Sequence, residues 1–181
     1  QAAVLEVERA GGVLVPQQQP EPHERNEPPP PGEARQHEAS EHRQRSGPGD
    51  LLAAVQTDWW MRIPAIRLAD AHASANTASA TYMYEFAWAS PGLGAVHALE
   101  VPFVFDTAAP DAPLFGPLLG NDPPQELAQT IHAAWIAFAA TGDPGWPKYD
   151  LKRRATMRFD ADSRIVEDPR PWERALWKTL R

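Results

Sequence analysis

The chain has 181 residues, a net charge of −7 and no cysteine. That length suits one domain, or one domain and a tail. The negative balance argues against a nucleic-acid-binding surface, and the missing cysteines exclude disulfides, thiolate nucleophiles and cysteine-ligated metals.

No apolar run approaches the length of a membrane span. Residues 1–15 are too acidic, and their apolar run too short, for a secretory signal, so a cytoplasmic protein is expected. Val4, Leu5, Val7, Val13, Leu14 and Val15 flank Gly11 and Gly12 as in a short hairpin or a remnant of something longer, and 1–15 stay unassigned. Residues 16–49 contain no Val, Ile, Leu, Met, Phe, Trp or Tyr; Pro, Gln, Glu, His and Arg dominate. Such a tract has no apolar surface to offset its ordering entropy and is expected to be disordered, with 28–31 locally polyproline-like. His23, His37 and His42 fall here, too irregularly spaced to read as a metal-binding tail.

Order is expected to resume at Asp50, as the N-cap of a helix opening at Leu51. Pro64 lacks an N–H and should kink that helix or split it in two. The second piece carries Ile66 and Leu68 against Arg67 and Asp70. His72 lies at its end, where a cation suits the helix dipole.

Tyr82, Tyr84, Phe86 and Trp88 recur at period two, which predicts a strand with one face packed on a large apolar body. Pro91, Gly92 and Gly94 then turn the chain, placing His97 on a loop just past the strand end. Residues 101–105 lead back as an apolar segment, and 106–124 read as a long surface connection. After Pro123 and Pro124, the positions Leu127, Ile131, Ala134, Trp135 and Phe138 follow at helical spacing until Gly142. His132 falls just off that stripe and reads as a partly exposed helix residue. Residues 143–149 form a tight loop pinned by Trp146 and Tyr149, and 155–160 with 164–168 predict a hairpin. Residues 169–181 close the chain as a helix with Trp172, Leu176 and Leu180 on one face. There is no internal repeat.

A histidine on a loop beyond a strand is placed to act as a general base, although a lone histidine more commonly satisfies a local hydrogen bond. A base also needs a nucleophile within reach and an orienting carboxylate. Three adjoining blocks decide how His97 is read: Tyr-Met-Tyr-Glu-Phe at 82–86, Gly-Ala-Val-His-Ala-Leu-Glu at 94–100 and Val-Pro-Phe-Val-Phe at 101–105. Together they closely resemble the catalytic-histidine region of the type B carboxylesterases, a family that includes para-nitrobenzyl esterases and cholinesterases. Asp-Trp-Trp-Met-Arg-Ile-Pro at 58–64, Trp-Ile-Ala-Phe-Ala-Ala-Thr-Gly-Asp-Pro at 135–144 and Trp146-Pro147 extend the resemblance from about residue 49 to the carboxyl end.

The resemblance implies an α/β fold, the C-terminal part of an α/β-hydrolase: a late sheet strand, the histidine loop, helices, and a small terminal hairpin and helix, over residues 50–181. It implies a triad ordered Ser, Glu or Asp, His, in which His97 takes the serine proton during acylation and later activates the water that releases the acid. Glu100 matches a carboxylate placed just after that histidine, supporting the loop rather than orienting the ring; its position also suits a first-turn helix carboxylate. Trp88, Leu93 and Phe103 are candidates for the wall beside the histidine, though core packing explains each. The substrate class implied is a small-molecule carboxylic ester, with no cofactor or metal and with neither nucleic acid nor membrane as partner; no oligomeric state follows.

The departures are equally specific. None of Ser40, Ser46, Ser74, Ser79, Ser90 and Ser163 lies in Gly-x-Ser-x-Gly, and the glycine-rich oxyanion motif is absent. The triad acid should lie upstream, where the 16–49 tract stands instead; Glu6 and Glu8 have unlike surroundings. The chain therefore reads as a carboxylesterase portion with the triad histidine alone, inactive by itself. An out-of-frame origin for 16–49 would explain the abrupt change of composition, and translating the coding sequence in all three frames checks it. The alternatives are a non-catalytic interaction module of esterase-like fold, or a truncated product that does not fold independently.

Overall fold

Tyr82, Tyr84 and Phe86 do alternate along a strand, β2 (Ala80–Phe86), and both of its faces are buried. In the computed structural model, which describes residues 2–7, 47–75, 79–178 and 180, this strand is the centre of the molecule. The expectations for residues 8–46, including His23, His37 and His42, lie outside the described residues.

The sheet has the order β1-β2-β3-β4, with β1 at Ala2–Val7, β3 at Ala155–Phe159 and β4 at Arg164–Glu167. β2 pairs with β3 in parallel, Met83 opposite Thr156 and Phe86 opposite Phe159. A parallel pair needs a crossover, and the chain between them supplies it. β3 and β4 form the expected antiparallel hairpin. β1 gives the unassigned first residues a place: it lies antiparallel to β2, Ala2 opposite Glu85 and Val7 opposite Ala80.

Ahead of β2 come α1 (Pro48–Thr57), a π-helical turn (Asp58–Arg62) and α2 (Ile63–Ser74). Asp50 is not the cap: Gly47 holds that position and Pro48 starts the helix, where its missing N–H costs nothing. The interruption expected at Pro64 takes the form of the π-turn just before it, in which the Ile63 N–H returns to the Asp58 carbonyl, five residues back. After β2 the chain makes the short helices α3 (Val101–Val104) and α4 (Gly116–Leu119), then α5 (Gln125–Thr141). Gly142 ends α5 at φ +77°, its N–H bonded to the Phe138 carbonyl at 2.8 Å, a left-handed C-cap that glycine adopts without strain. The 106–124 connection is more closely packed than its composition suggests. Ala108 and Leu119 are buried, and a Cβ on Gly116 would lie 2.2 Å from the Pro110 carbonyl oxygen.

One face of β2 builds the main core. Tyr82, Tyr84 and Phe86 join Leu99, Phe103, Leu127, Ile131, Trp146 and Phe159 there. Tyr84 meets Trp135 of α5 edge-on at 6.3 Å, and Tyr82 meets Phe138 at 6.1 Å. The other face sets Met83 against Ile63, Ile66 and Ala69 of α2 and against Tyr149. Helices on both faces of a parallel pair make an α/β arrangement, and they explain why polar Thr81 and Glu85 are buried with the rest.

The last helix, α6 (Pro171–Leu176), corrects an expectation. Trp172, Leu176 and Leu180 are more than half exposed, and the buried side chain is Glu173. It docks by polar contacts: Arg62 donates from Nε and Nη2 to Asp58 (2.7 and 2.9 Å) and from Nη2 to Glu173 (2.9 Å). Trp177 Nε1 donates to Asp58 at 2.9 Å, and Arg67 donates to the carbonyls of Trp177 and Leu180. Arg170 pairs with Glu85, and Arg174 is bidentate to Asp168. Among the described residues no helix is long and apolar enough to cross a membrane.

Candidate active site

β2 ends at Phe86, and the next two amides, of Ala87 and Trp88, both donate to the Phe159 carbonyl at 2.8 and 3.2 Å. The exit from the strand is therefore tied to β3. Trp88 then leans on Phe86 and Phe103, its ring 6.4 and 5.2 Å from theirs. Ser90 and Gly94 exchange backbone hydrogen bonds at 3.2 and 3.0 Å, closing a small turn whose tip is Pro91, Gly92 and Leu93. Gly94 closes it at φ +72°.

His97 comes three residues later and is exposed. Its anchorage lies in its neighbours. Val96 packs against the main core, Leu99 is 1 % exposed, Glu100 is buried, and Pro102 and Phe103 carry α3 into the interior. Between His97 and Leu99, Ala98 adopts φ +66°. The left-handed region costs a non-glycine residue about 1–2 kcal/mol, and such a conformation persists only where the surroundings dictate it. The buried pair Leu99 and Glu100 supplies that constraint.

Glu100 is turned inward. Its backbone carbonyl accepts the amides of Phe103 (3.0 Å) and Val104 (2.9 Å), opening α3. Its carboxylate lies near the Tyr84 phenol, whose pKa is raised above the ordinary tyrosine value by burial first and by the Glu100 charge second. Glu100 Oε2 is buried without a hydrogen-bond partner among the described residues, and the Trp135 indole beside Tyr84 partly offsets the rise in the tyrosine's pKa. A buried polar group, Glu100 with Tyr84, thus underlies the histidine loop. Its Glu100 end was legible in the sequence, whereas Tyr84 and Trp135 read only as core aromatics.

His72 and His132 join elements of the fold. His132, half-buried as expected, donates from Nδ1 to the Val104 carbonyl at 2.8 Å and ties α5 to α3. His72 does more than sit at a helix end: its Nδ1 meets the Thr81 hydroxyl and its Nε2 lies 3.0 Å from Ser79 Oγ, joining α2 to the start of β2. Of the three candidate wall residues, Phe103 is core, Trp88 is half-buried, and Leu93 is exposed at the tip of the Ser90–Gly94 turn. Among the described residues no three His, Asp or Glu side chains converge as a metal site requires.

A charged cluster on the other face of β2 was not legible in the sequence. Arg62, Glu85, Tyr149, Arg154, Asp168 and Arg170 line a cavity of about 20 Å³, room for about one water. Around it the Tyr149 hydroxyl donates to Asp70 at 2.7 Å and accepts from Arg154 at 2.7 Å. Such a set of ion pairs stitches α2, β2 and the ends of the terminal hairpin together.

Residues 33–177 match the carboxylesterase family. The match begins upstream of residue 49, inside the polar tract. The chain is similar to the para-nitrobenzyl esterase of Bacillus subtilis (strain 168), 38% identical over 112 residues that make up 57% of this chain and 23% of the relative. It is also similar to the phenmedipham hydrolase of Pseudarthrobacter oxydans, 33% identical over 130 residues, 62% of this chain and 25% of that one. Among solved structures, a Geobacillus stearothermophilus carboxylesterase superposes with a TM-score of 0.62 at 34% identity, covering 85% of this chain and 33% of that chain. The fold is that of part of an α/β-hydrolase esterase. The chain spans between about a quarter and a third of the length of these relatives.

Proposed function

The chain belongs to the carboxylesterase family, and on that premise we propose that it is the histidine-bearing, carboxyl-terminal part of a serine ester hydrolase, with His97 as the general base. The observation that carries this reading is the placement of His97: exposed, next to a left-handed Ala98, on a loop anchored before and behind by buried side chains. A base must hold its position while moving a proton, and a loop built on rigid elements allows that.

In this scheme a serine hydroxyl from the remainder of the domain gives its proton to His97 as it attacks the ester carbonyl. The alcohol leaves with that proton. Water then attacks the acyl-enzyme with His97 again as base, releasing the acid. Glu100 is a positioning residue, holding the loop from below through its buried carboxylate and its role in opening α3. The substrate is a small-molecule carboxylic ester. By itself the chain has neither the nucleophile motif nor the oxyanion motif, so it forgoes most transition-state stabilisation and is inactive.

A chimaera tests His97 directly. Residues 33–177 replace the matching stretch of the Bacillus subtilis relative, and hydrolysis of a para-nitrobenzyl ester is followed. The expected result is turnover that falls by about a thousandfold in His97→Ala. A fall of less than tenfold refutes the assignment. Turnover by the isolated chain that is lost in His97→Ala would instead reveal a nucleophile within these residues.

A further inference from the structure

We propose that His132 of α5 is a positioning residue for His97, a clamp on the far end of the short helix that carries the histidine loop. The inference deepens the reading of His97 as the base and rests on it. From His97 the chain passes through left-handed Ala98 and buried Leu99 and Glu100 straight into α3. Just past α3 comes a second left-handed residue that is not glycine, Asp106 at φ +53°. Such conformations persist where the surroundings impose them. A segment bent in this way at both ends is held from outside.

The holding element is α5. The carbonyls of Val101, Pro102 and Phe103 accept from amides of the chain that follows, those of Phe105, Thr107 and Asp106, at 3.2, 2.8 and 3.3 Å. The Val104 carbonyl takes His132 Nδ1 at 2.8 Å. A carbonyl only accepts, so His132 carries a proton on Nδ1. Gln125 Nε2 donates to the Ala108 carbonyl at 2.7 Å, and α5 thereby grips the chain on either side of Asp106. Leu99 and Phe103 share the main core with Leu127 and Ile131 of α5. Apolar packing is non-directional, however, and tolerates a small slide or rotation of α3. A hydrogen bond to one carbonyl does not, because it weakens steeply as its angle opens. A displacement of about 1 Å at a reacting group costs about a hundredfold in rate, so the bond acts on the reaction through α3.

The esterase chimaera carries the test. His132→Leu removes the donor, whereas His132→Asn keeps an N–H close to the place of Nδ1. The expected result is a kcat lower by about tenfold or more in His132→Leu with KM changed by less than about twofold, and recovery of most of the loss in His132→Asn. In a His97→Ala background, His132→Leu should cost less than about twofold, because the base it positions is gone. A kcat unchanged in His132→Leu, an Asn variant no better than Leu, or the same loss in both backgrounds overturns the proposal. A second readout needs no turnover. In the full chain, hydrogen exchange at the amides of residues 98–107 should rise by about tenfold or more in His132→Leu and return toward wild type in His132→Asn; exchange that does not change overturns the proposal. If His97→Ala costs less than about tenfold the base assignment fails, and exchange still decides whether His132 holds the loop. It decides equally if the chimaera shows no turnover.

Discussion

Replacing Arg62 by Met isolates the contact that docks the end of the chain. The Arg62 side chain is 4 % exposed and neutralises two buried carboxylates, Asp58 and Glu173, with hydrogen bonds of 2.7 to 2.9 Å. Met keeps the apolar stem and removes the charge, leaving the two carboxylates facing each other away from water. Removing one partner of a buried ion pair costs about 3–5 kcal/mol. Arg62→Lys keeps the charge but loses the planar fork, so its loss is smaller. The pH dependence separates an electrostatic cause from a packing one. Burial pushes the Asp58 carboxyl upward, but hydrogen bonding and charge from Arg62, aided by Trp177 and Arg170, more than reverse this and hold it below the ordinary aspartate value. A depressed folded-state pKa contributes stability above about pH 4, lost as pH falls through the folded value. In Arg62→Met burial prevails and the sign inverts, so acid stabilises the variant. The gap between wild type and Arg62→Met should therefore narrow from pH 7 to pH 4. Urea unfolding followed by tryptophan fluorescence reads it, with Trp59 and Trp177 5.7 Å apart beside the cluster. A gap below about 1 kcal/mol at pH 7, or one unchanged at pH 4, refutes the reasoning.

Leu99→Ala opens a cavity beneath the histidine loop, and at 1 % exposure the loss should be about 2–5 kcal/mol. A thermal melt shifted by less than the equivalent of about 1 kcal/mol would show that Leu99 does not anchor the loop. All three tyrosines, Tyr82, Tyr84 and Tyr149, are held above their ordinary range, burial being the first cause in each. Groups with raised pKa values contribute stability that is present below about pH 10 and lost as pH rises through the folded values. Phenolate absorbance should therefore lag that of free tyrosine and then rise together with unfolding, and titration of all three before the circular dichroism changes would contradict this.

The candidate site was legible to the extent that it is local. His97 lies past the end of a strand whose aromatic alternation marks it, and Gly94 supplies the left-handed turn ahead of it. What could not be read is how the loop is held. Ala98 adopts a positive φ that its residue type does not favour, because Leu99 and Glu100 are buried behind it. Tyr84 gave no sign of a polar neighbour 16 positions later, since burial of both depends on how α3 returns to the sheet.

Periodicity and capping by themselves determined β2, α5 with its Gly142 stop, and the β3-β4 hairpin, because each is decided by neighbours within a few residues. Tertiary structure alone decided that β1 lies across β2 and that the end of the chain docks through Glu173 and Trp177 rather than through Trp172, Leu176 and Leu180. The physical reason is that a charged residue in a sequence reads as solvated surface. Arg62 and Glu173, 111 positions apart, become interior groups only when folding brings them within 2.9 Å of each other.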